Sequence, residues 1–265
     1  MDELAICAIF RNEAPYIHEW LCFHAEIGVD RFYLYNNNST DDTLAEIARF
    51  PEKQRIVVTD WPEVPGQISA YRDMMARNGN AALWCAFIDC DEFLVPRAGV
   101  AVKDVLYEYW PLCDALYVHW LMFGSSGQLA RTPGLVTERF LRRGRFEFGP
   151  NMFGKTIIKL ARAVEPLGPH VMVPQGRLIN EMNLDLDREG KHPALRPSHR
   201  LLALHHYFTK SVEEWRTRRA LGKADVEPHA RHFRRPDEDF VHHDVNDVED
   251  DMARIMMARA RRRFS

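Results

Sequence analysis

The stretch WCAFIDCDEFLV (84–95) changes from apolar to acidic within a few residues and then turns apolar again. It overlaps ALWCAFID (82–89), a continuous apolar run that predicts a strand covered by helices on both faces, as in a parallel sheet. Asp89, Asp91 and Glu92 follow at the carboxyl end of this strand. Ligands of open α/β sheets bind outside the carboxyl ends of the strands, so the three carboxylates predict a ligand site.

The chain before this stretch alternates strand-like and helix-like patterns, which predicts β-α units and the α/β class. Apolar runs predict strands and helical periodicity predicts helices; the strands cover 4–10, 31–37 and 54–61, and the helices 15–28, 39–50 and 66–79. Ser39 or Thr40 is the expected cap of the second helix. The polar clusters FRNE and YNNNSTDD follow the first two strands. Together with the aspartates, three polar clusters are expected at one edge of the sheet.

Beyond residue 100 the pattern is looser. Strands are predicted over 113–124, 155–161 and 201–208, long loops over 125–150 and 174–200, and helices over 211–222 and 247–264. Ser211 and Glu214 have the spacing of a capping box, which places the start of the helix over 211–222.

Composition excludes several classes of protein. The chain has 265 residues, 46% of them hydrophobic, which is enough for a full core, and its net charge of −3 is not that of a general nucleic-acid binder. The five cysteines are odd in number and lack CxxC spacing, so neither a disulfide framework nor a zinc knuckle is predicted. No apolar run reaches the ~18 residues needed to span a bilayer. A cytoplasmic location in a reducing compartment, with no nucleic-acid partner, is the expectation.

Two explanations fit the carboxylates after the fourth strand. On an extended chain Asp89 and Asp91 share one face, and two adjacent carboxylates repel each other unless a cation lies between them. Oxygen ligands suit Mg²⁺ or Mn²⁺, so this DxD pattern predicts a divalent metal that neutralises a diphosphate. In the alternative, Asp89 and Glu92 cap the next segment and pair with Arg72 or Arg97.

An ordered set of motifs resembles glycosyltransferase family 92 and its bacterial family-2-like relatives. The motifs are FRNEAPYIHEWLCFH, GVDRFYLYNNNSTDDT, GQISAYRDM and WCAFIDCDEFL in the first half, and HWLMFGSSG, FGKTIIKL, GPH and LHHYFTKSVEEW in the second. The resemblance implies a GT-A fold, a Rossmann-like mixed sheet flanked by helices. It also implies a nucleotide-sugar donor, a UDP- or GDP-sugar, held through Mn²⁺ or Mg²⁺. The expected domain covers 1–222, with a nucleotide-binding half (1–100) and an acceptor-side half (101–222), followed by a C-terminal helical extension (223–265).

The resemblance also implies roles for individual residues. Asp91 would ligate the metal, Asp89 would contact the ribose or the metal through water, and His206 would be the third protein ligand. His205 points to the opposite face of the same strand and is the residue expected in the core. The remaining candidates are donor contacts: Asn12, Glu13, Asn36, Asn37, Asp41, Gln67, Arg72, Lys155 and His170.

Three of these donor contacts carry reservations. Asn36 and Asn37 stand where family-2 enzymes usually have acidic residues, so the nucleotide base stays open, and Asp41 could serve instead of them or stabilise a helix dipole.

An inverting transfer needs a carboxylate that deprotonates the acceptor hydroxyl. Two glutamates lie in the region expected to face the acceptor. Glu138 follows the fifth predicted strand, and Glu181 lies about ninety residues past the DxD, near where family-2 enzymes carry their base. Glu138 is the preferred candidate and Glu181 the alternative.

The C-terminal helix is amphipathic and basic, with five arginines between 254 and 263. Such a helix fits an anionic membrane surface, but packing of its apolar face on its own domain is the favoured interpretation.

The sequence therefore predicts a metal-dependent, inverting glycosyltransferase that acts on a glycan or lipid-linked acceptor. The alternatives are a metal-dependent phosphohydrolase or nucleotidyltransferase, and a non-catalytic module that binds nucleotide sugars.

Overall fold

The computed structural model describes residues 2–264. Its strands are β1 (Asp2–Phe10), β2 (Arg31–Asn36), β3 (Ile56–Asp60), β4 (Ala82–Phe87), β5 (Glu92–Pro96), β6 (Ala115–Met122), β7 (Arg142–Arg143), β8 (Gly154–Lys159), β9 (Ala163–Pro166), β10 (Met172–Pro174), β11 (Leu178–Asn180), β12 (Leu202–His206) and β13 (Val248–Glu249). Its α-helices are α1 (Ile17–Glu26), α2 (Thr43–Ala48), α3 (Gln67–Asn78), α4 (Val102–Tyr109), α5 (Val136–Arg139), α6 (Val212–Leu221), α7 (Asp237–His243) and α8 (Met252–Phe264).

A nine-stranded mixed sheet organises the chain, in the order β3-β2-β1-β4-β8-β6-β12-β5, with β11 paired to β6. Strands β3, β2, β1 and β4 are parallel, whereas β8 is antiparallel to both β4 and β6. The predicted α/β class is confirmed: the fold is a mixed sheet flanked by helices. Because β2, β1 and β4 are parallel neighbours, the polar clusters that follow them do meet at one edge.

Alternation along the central strands divides the core between the two faces of the sheet. In β1, Leu4, Ile6 and Ala8 pack with Trp20 of α1 in one hydrophobic cluster. Ala5, Cys7 and Ile9 pack on the other face with Tyr71 of α3. Both faces of β1 are buried, which explains why its sequence is apolar without interruption.

Two predicted features of the N-terminal half need correction. Helix α2 begins at Thr43 with Asp42 at its N-terminal boundary, and not at Ser39 or Thr40. Asp89 and Asp91 do not lie on an extended strand, because β4 ends at Phe87 and residues 89–92 form a turn closed by a hydrogen bond from Glu92 N to Asp89 O.

The C-terminal helix α8 packs against α1. Ala253, Met257 and Ala260 are buried in the same cluster as Trp20. Arg263 reaches back to Glu52, with 3.3 Å between its Nη2 and Oε1. The apolar face of α8 is therefore covered by its own domain, the second of the two predicted arrangements. No helix within residues 2–264 is long and apolar enough to cross a membrane.

Candidate active site

A cavity of about 300 Å³ opens at the carboxyl ends of β1 and β4. Its floor includes Glu13, Asp89 and Asp91, which follow these strands. Its opposite wall comes from the chain after β12, including Arg218 of α6 and Arg235 in the loop before α7. Segment 221–225 borders the cavity and is anchored by a 2.9 Å hydrogen bond from Gly66 N to Ala224 O. Acidic and basic walls therefore face each other across one cavity.

The turn after β4 directs its two aspartates to different partners. Asp89 accepts hydrogen bonds from Gln67 Nε2 and Lys155 Nζ, both at 2.8 Å. Glu92 closes the turn by accepting from Asp89 N at 2.7 Å and from Trp120 Nε1 at 2.7 Å. The capping alternative is thus correct for Glu92, while neither Arg72 nor Arg97 pairs with the turn.

Asp91 is buried and faces two groups from the C-terminal part of the chain. Its Oδ2 lies 2.5 Å from Arg218 Nη1 and 3.3 Å from His206 Nε2. Burial by itself raises the pKa of Asp91, but Arg218 and His206 outweigh this and hold the pKa well below its ordinary value. Asp91 is therefore a carboxylate at neutral pH.

The doublet at the end of β12 places one ring on each side of the sheet. His206 packs beside Trp120 with its ring tilted, at 4.4 Å between ring centroids, and faces the cavity. His205 is fully buried beside Phe123 on the other face. Burial lowers the pKa of both rings, to about 3 for His205. A neutral His206 ring has a lone pair to donate to a metal.

Asp91 and His206 fit a divalent metal ion. Asp91 Oδ2 is ion-paired with Arg218, whereas both ring nitrogens of His206 are buried without a hydrogen-bond partner, a state that is costly unless another ligand is bound. Across the part of the chain that the structure describes, no group of three or more His, Cys, Asp or Glu is close enough to bind a metal. Asp89, predicted as a metal ligand, is directed to Gln67 and Lys155 instead, because it sits in a turn. Two protein donors suit Mg²⁺ or Mn²⁺ when substrate phosphates and water supply the other ligands.

Lys155 is the buried cation on the acidic side of the cavity. Its Nζ donates to Asp89 and to Pro169 O, each at 2.8 Å, and lies 3.7 Å from Glu92. Burial lowers the pKa of Lys155, but Asp89 and Glu92 more than compensate, so the net change is upward. The ammonium group therefore stays charged next to the turn, where a diphosphate would lie.

Glu13 has an unusual environment in the loop after β1. It lines the main cavity and also a second, smaller cavity beside it. Its backbone N–H donates to Thr43 Oγ1 at 2.9 Å, which fixes the loop. Burial raises the pKa of Glu13 to about 7; Asp91 adds to the rise, and Lys210 and Arg218 oppose it. A carboxyl group with this pKa can gain or lose a proton near neutral pH.

The remaining predicted donor residues divide into two groups. Asn37, Gln67, Lys155 and His170 line the main cavity with Glu13 and the aspartates. Four others do not line it: Asn12 borders the smaller cavity, Asn36 donates to Asp60, Asp41 bonds Thr43 and Ala14, and Arg72 is exposed. Asn12 and Asp41 instead tie the polar loops after β1 and β2 together, and Asn36 ties the end of β2 to the end of β3.

Neither predicted base reaches the cavity, as far as residues 2–264 are concerned. Glu138 caps the short helix α5 and pairs with Arg261 of α8, with 2.7 Å between Oε1 and Nη1. Glu181 is buried and accepts hydrogen bonds from the backbone N–H groups of residues 200–202, so it anchors the segment before β12. The sequence predicted both glutamates on the acceptor side, but in the structure their carboxylates stabilise the fold.

Six cations that line the two cavities were not predicted from the sequence: Arg11, Arg131, Lys210, Arg218, Lys223 and Arg235. A local signal exists for Arg218, since it lies one helical turn after Glu214 of the capping box, and the box fixes which face of α6 each residue occupies. The loop that carries Arg235 lacks a periodic pattern.

One stretch of the chain matches a known protein family over residues 2–111. The family is glycosyltransferase family 92. A family 92 protein of Oryza sativa subsp. japonica is 33% identical over 129 residues, which cover 47% of this chain and 22% of that protein. One of Ricinus communis is 33% identical over 105 residues, covering 39% of this chain and 19% of that protein. The family 92 resemblance is therefore confirmed for the N-terminal part, and the chain spans about a fifth of the length of these relatives.

Solved structures resemble the fold more distantly. Staphylococcus aureus TarS, residues 1–349, superposes with a TM-score of 0.41 at 16% identity, covering 60% of this chain and 47% of that one. HddC from Yersinia pseudotuberculosis gives a TM-score of 0.41 at 9% identity, covering 68% of this chain and 91% of that one.

Proposed function

We propose that this protein is a metal-dependent glycosyltransferase that moves a sugar from a nucleotide-sugar donor to a glycan or lipid-linked acceptor with inversion. The observation that carries the proposal is the pairing of Asp91 with His206, two buried side chains of metal-ligand type, in a cavity that is also lined by the cations Lys155, Arg218 and Arg235. A nucleoside diphosphate bound with its metal has the matching charges. The match to family 92 over residues 2–111 supports the same reaction class.

Each wall of the cavity has a task in this proposal. Asp91 and His206 would bind Mn²⁺ or Mg²⁺, and the ion would act as a Lewis acid on the leaving diphosphate. Lys155 and Arg235 would contact the diphosphate oxygens, since cations in a water-poor cavity stabilise developing negative charge. Arg218, which neutralises Asp91 in the structure, would turn its guanidinium to the diphosphate once a metal takes over Asp91.

The general base of the transfer would be Glu13. It lines both cavities and so lies where a donor and an acceptor would meet. The acceptor hydroxyl oxygen attacks the anomeric carbon, its proton passes to Glu13, and the bond between that carbon and the diphosphate oxygen breaks with its electrons leaving on the nucleotide. This role replaces the nucleotide-base contact that the resemblance implied for Glu13.

Calorimetry with nucleoside diphosphates and nucleotide sugars, with and without Mn²⁺, tests the proposal. We expect binding that requires the metal and is selective for one base. Product analysis with a panel of saccharide acceptors separates the alternatives. A phosphohydrolase would release nucleotide at the same rate without acceptor, and a binding module would release none. Absence of metal-dependent binding for every nucleotide tested would contradict the proposal.

A further inference from the structure

The second cavity, of about 160 Å³, lies between the loop after β1 and the segment 209–221. It shares only Glu13, Arg218 and Leu221 with the main cavity. The groups that would bind donor and metal, Asp91 and His206 among them, do not line it. It is therefore a separate space that opens onto the same carboxyl group, Glu13.

Lys210 is a buried cation in the wall of this second cavity. Its relative exposure is 5%, yet within residues 2–264 its ammonium group has no hydrogen bond and no carboxylate within 4.0 Å. Its Nζ lies 4.5 Å from the centroid of the Tyr16 ring, a contact that stabilises the ammonium group without neutralising its charge. The Nζ atom therefore faces the space of the cavity, where it is free to contact an anion.

The backbone at Lys210 supports the same conclusion. Its φ of +50° lies in the left-handed region, which is unfavourable for a non-glycine residue and persists only where its surroundings enforce it. Its two neighbours are both fixed: the Thr209 hydroxyl donates to Phe123 O at 3.4 Å, and Ser211 caps α6. The chain thus directs Lys210 into the cavity by means of a strained conformation.

The two glutamates of α6 that line the second cavity already accept hydrogen bonds. Glu214 accepts from Arg139 at 2.7 and 2.9 Å and from the Tyr16 hydroxyl at 2.8 Å. Glu213 accepts from the backbone N–H of Arg131 at 2.8 Å. The Arg131 side chain lacks an ion pair among the described residues, and its Cζ lies 5.7 Å from the Tyr16 ring. Two cations, Lys210 and Arg131, therefore remain for a ligand.

We propose that the second cavity is the acceptor subsite and that it selects an anionic acceptor, a sugar that carries a carboxylate or a phosphate. The anionic group binds Lys210 and Arg131, and the acceptor hydroxyl is directed to Glu13. This inference rests on the proposed glycosyl transfer for its biological meaning, but the anion site itself exists independently of that reaction.

The test is a titration of the full isotope-labelled chain, followed by NMR, with glucuronate, glucose 6-phosphate and glucose. It is run without nucleotide and again with Mn²⁺ and saturating nucleoside diphosphate. We expect shifts near Tyr16 and Lys210 for at least one of the charged sugars, with affinity at least ~10-fold above that of glucose, in both conditions. The preferred charged sugar identifies the anionic group as carboxylate or phosphate.

The variant Lys210→Asn removes the charge and suits the left-handed backbone, since asparagine tolerates this conformation. We expect this variant to weaken the binding of the charged sugars by ~10-fold or more and to change the affinity for nucleoside diphosphate by less than about twofold. Arg131→Gln, in an exposed loop, should give a smaller loss in the same direction. Lys223→Asn is the control, because Lys223 lines only the main cavity; its anionic-sugar affinity should equal that of the unmodified chain.

Two results would overturn the inference. One is equal binding of glucose and both charged sugars. The other is displacement of the charged sugars by nucleoside diphosphate together with a tenfold loss of nucleotide affinity in Lys210→Asn, which would assign Lys210 to the donor. If no nucleotide binds at all while the charged sugars still bind at Lys210, the proposed function fails and the anion site stands.

Discussion

Two charged regions face each other across the main cavity, and they are built in different ways. The carboxylate turn, residues 89–92, is a local structure: it follows the end of β4, and Asp89 and Asp91 are two positions apart in the chain. The cationic segment, residues 206–235, spreads its functional groups over β12, α6 and a loop.

The difference shows how this site combines two kinds of information. The carboxylate turn needs only one strand end, so its residues form a recognisable motif. The cationic segment works only because β12 lies next to β6 and β5, which brings His206 and Arg218 to Asp91 from more than a hundred residues away. Neither region could bind a metal diphosphate alone, and variants on each side should therefore fail differently.

The largest effect is expected from the carboxylate turn. Asp91→Asn removes the charge that would bind the metal, so Mn²⁺-dependent binding of nucleoside diphosphate should become unmeasurable by calorimetry while the fold remains intact. Asp89→Asn is the matched control and should retain weaker binding, since Asp89 pairs with Lys155 and Gln67. Equal losses in both variants would mean that the two carboxylates act together on the metal after all.

Glu13→Gln separates binding from turnover. If Glu13 deprotonates the acceptor, transfer should fall by at least ~10²-fold in steady-state kinetics while donor and metal affinities are kept. Glu138→Gln and Glu181→Gln are the comparison variants, and each should leave the transfer rate nearly unchanged when compared at equal folded fraction. If Glu138→Gln or Glu181→Gln loses turnover while Glu13→Gln stays active, the base is in the acceptor-side region that the sequence predicted.

The histidine doublet tests the cationic segment. His206→Ala should weaken Mn²⁺ binding by roughly ten- to a hundredfold, the range expected when one metal contact is lost or misdirected. His205→Ala lies on the other face of β12 and should affect thermal stability more than metal affinity. The reverse ranking in a metal titration would show that the faces of β12 are assigned the wrong way round.

Arg218→Gln removes the counter-ion of Asp91. Nucleoside diphosphate affinity in the presence of Mn²⁺ should fall ~10-fold, because one charge-assisted contact to the diphosphate is lost. The affinity for Mn²⁺ alone should instead rise, since Arg218 no longer competes for Asp91. Unchanged affinity for both ligands would indicate that the ion pair has only a structural role.

The smallest effect on ligand binding and turnover is expected for Glu214, which holds the start of α6. Arg139, Ser211 and Tyr16 outweigh the effect of burial and lower its pKa to about 2, from an ordinary value of 4.5. A carboxylate with a lowered pKa stabilises the fold above pH 4.5, and this contribution is lost as the pH falls towards 2. Glu214→Gln should reduce the free energy of unfolding by roughly 2–3 kcal/mol at pH 7, because the lowered pKa and the buried ion pair with Arg139 are both lost.

The check on Glu214 is a set of urea denaturations between pH 7 and pH 3. The difference between Glu214→Gln and the unmodified chain should shrink as the pH falls below 4.5. Glu238→Gln, on α7, is the control, and a difference that stays constant with pH would argue against the ion pair with Arg139.

Much of the N-terminal half, residues 1–100, could be predicted from the sequence. β1, β2 and β4 are buried on both faces, so their apolar runs are long and their polar ends stand out. Errors arose where the pattern is short: Asp89 and Asp91 were placed on a strand because two residues cannot distinguish a strand end from a turn. The capping box of α6 was correct since Ser211 and Glu214 satisfy each other locally. The base could not be predicted, because Glu138 and Glu181 have carboxylate chemistry but are used by Arg261 and by backbone N–H groups.

What the sequence by itself determined is the α/β class, the order of the first β-α units and the acidic strand end, since these follow from periodicity and from turn chemistry within about ten residues. Only the tertiary structure decided which charges meet. It brought His206, Lys210 and Arg218 to the strand ends, directed Asp89 away from Asp91, and left Lys210 buried beside Tyr16. The physical reason is that electrostatic interactions depend on distance and burial in space. Residues more than a hundred positions apart come close together and become buried only when the sheet is assembled.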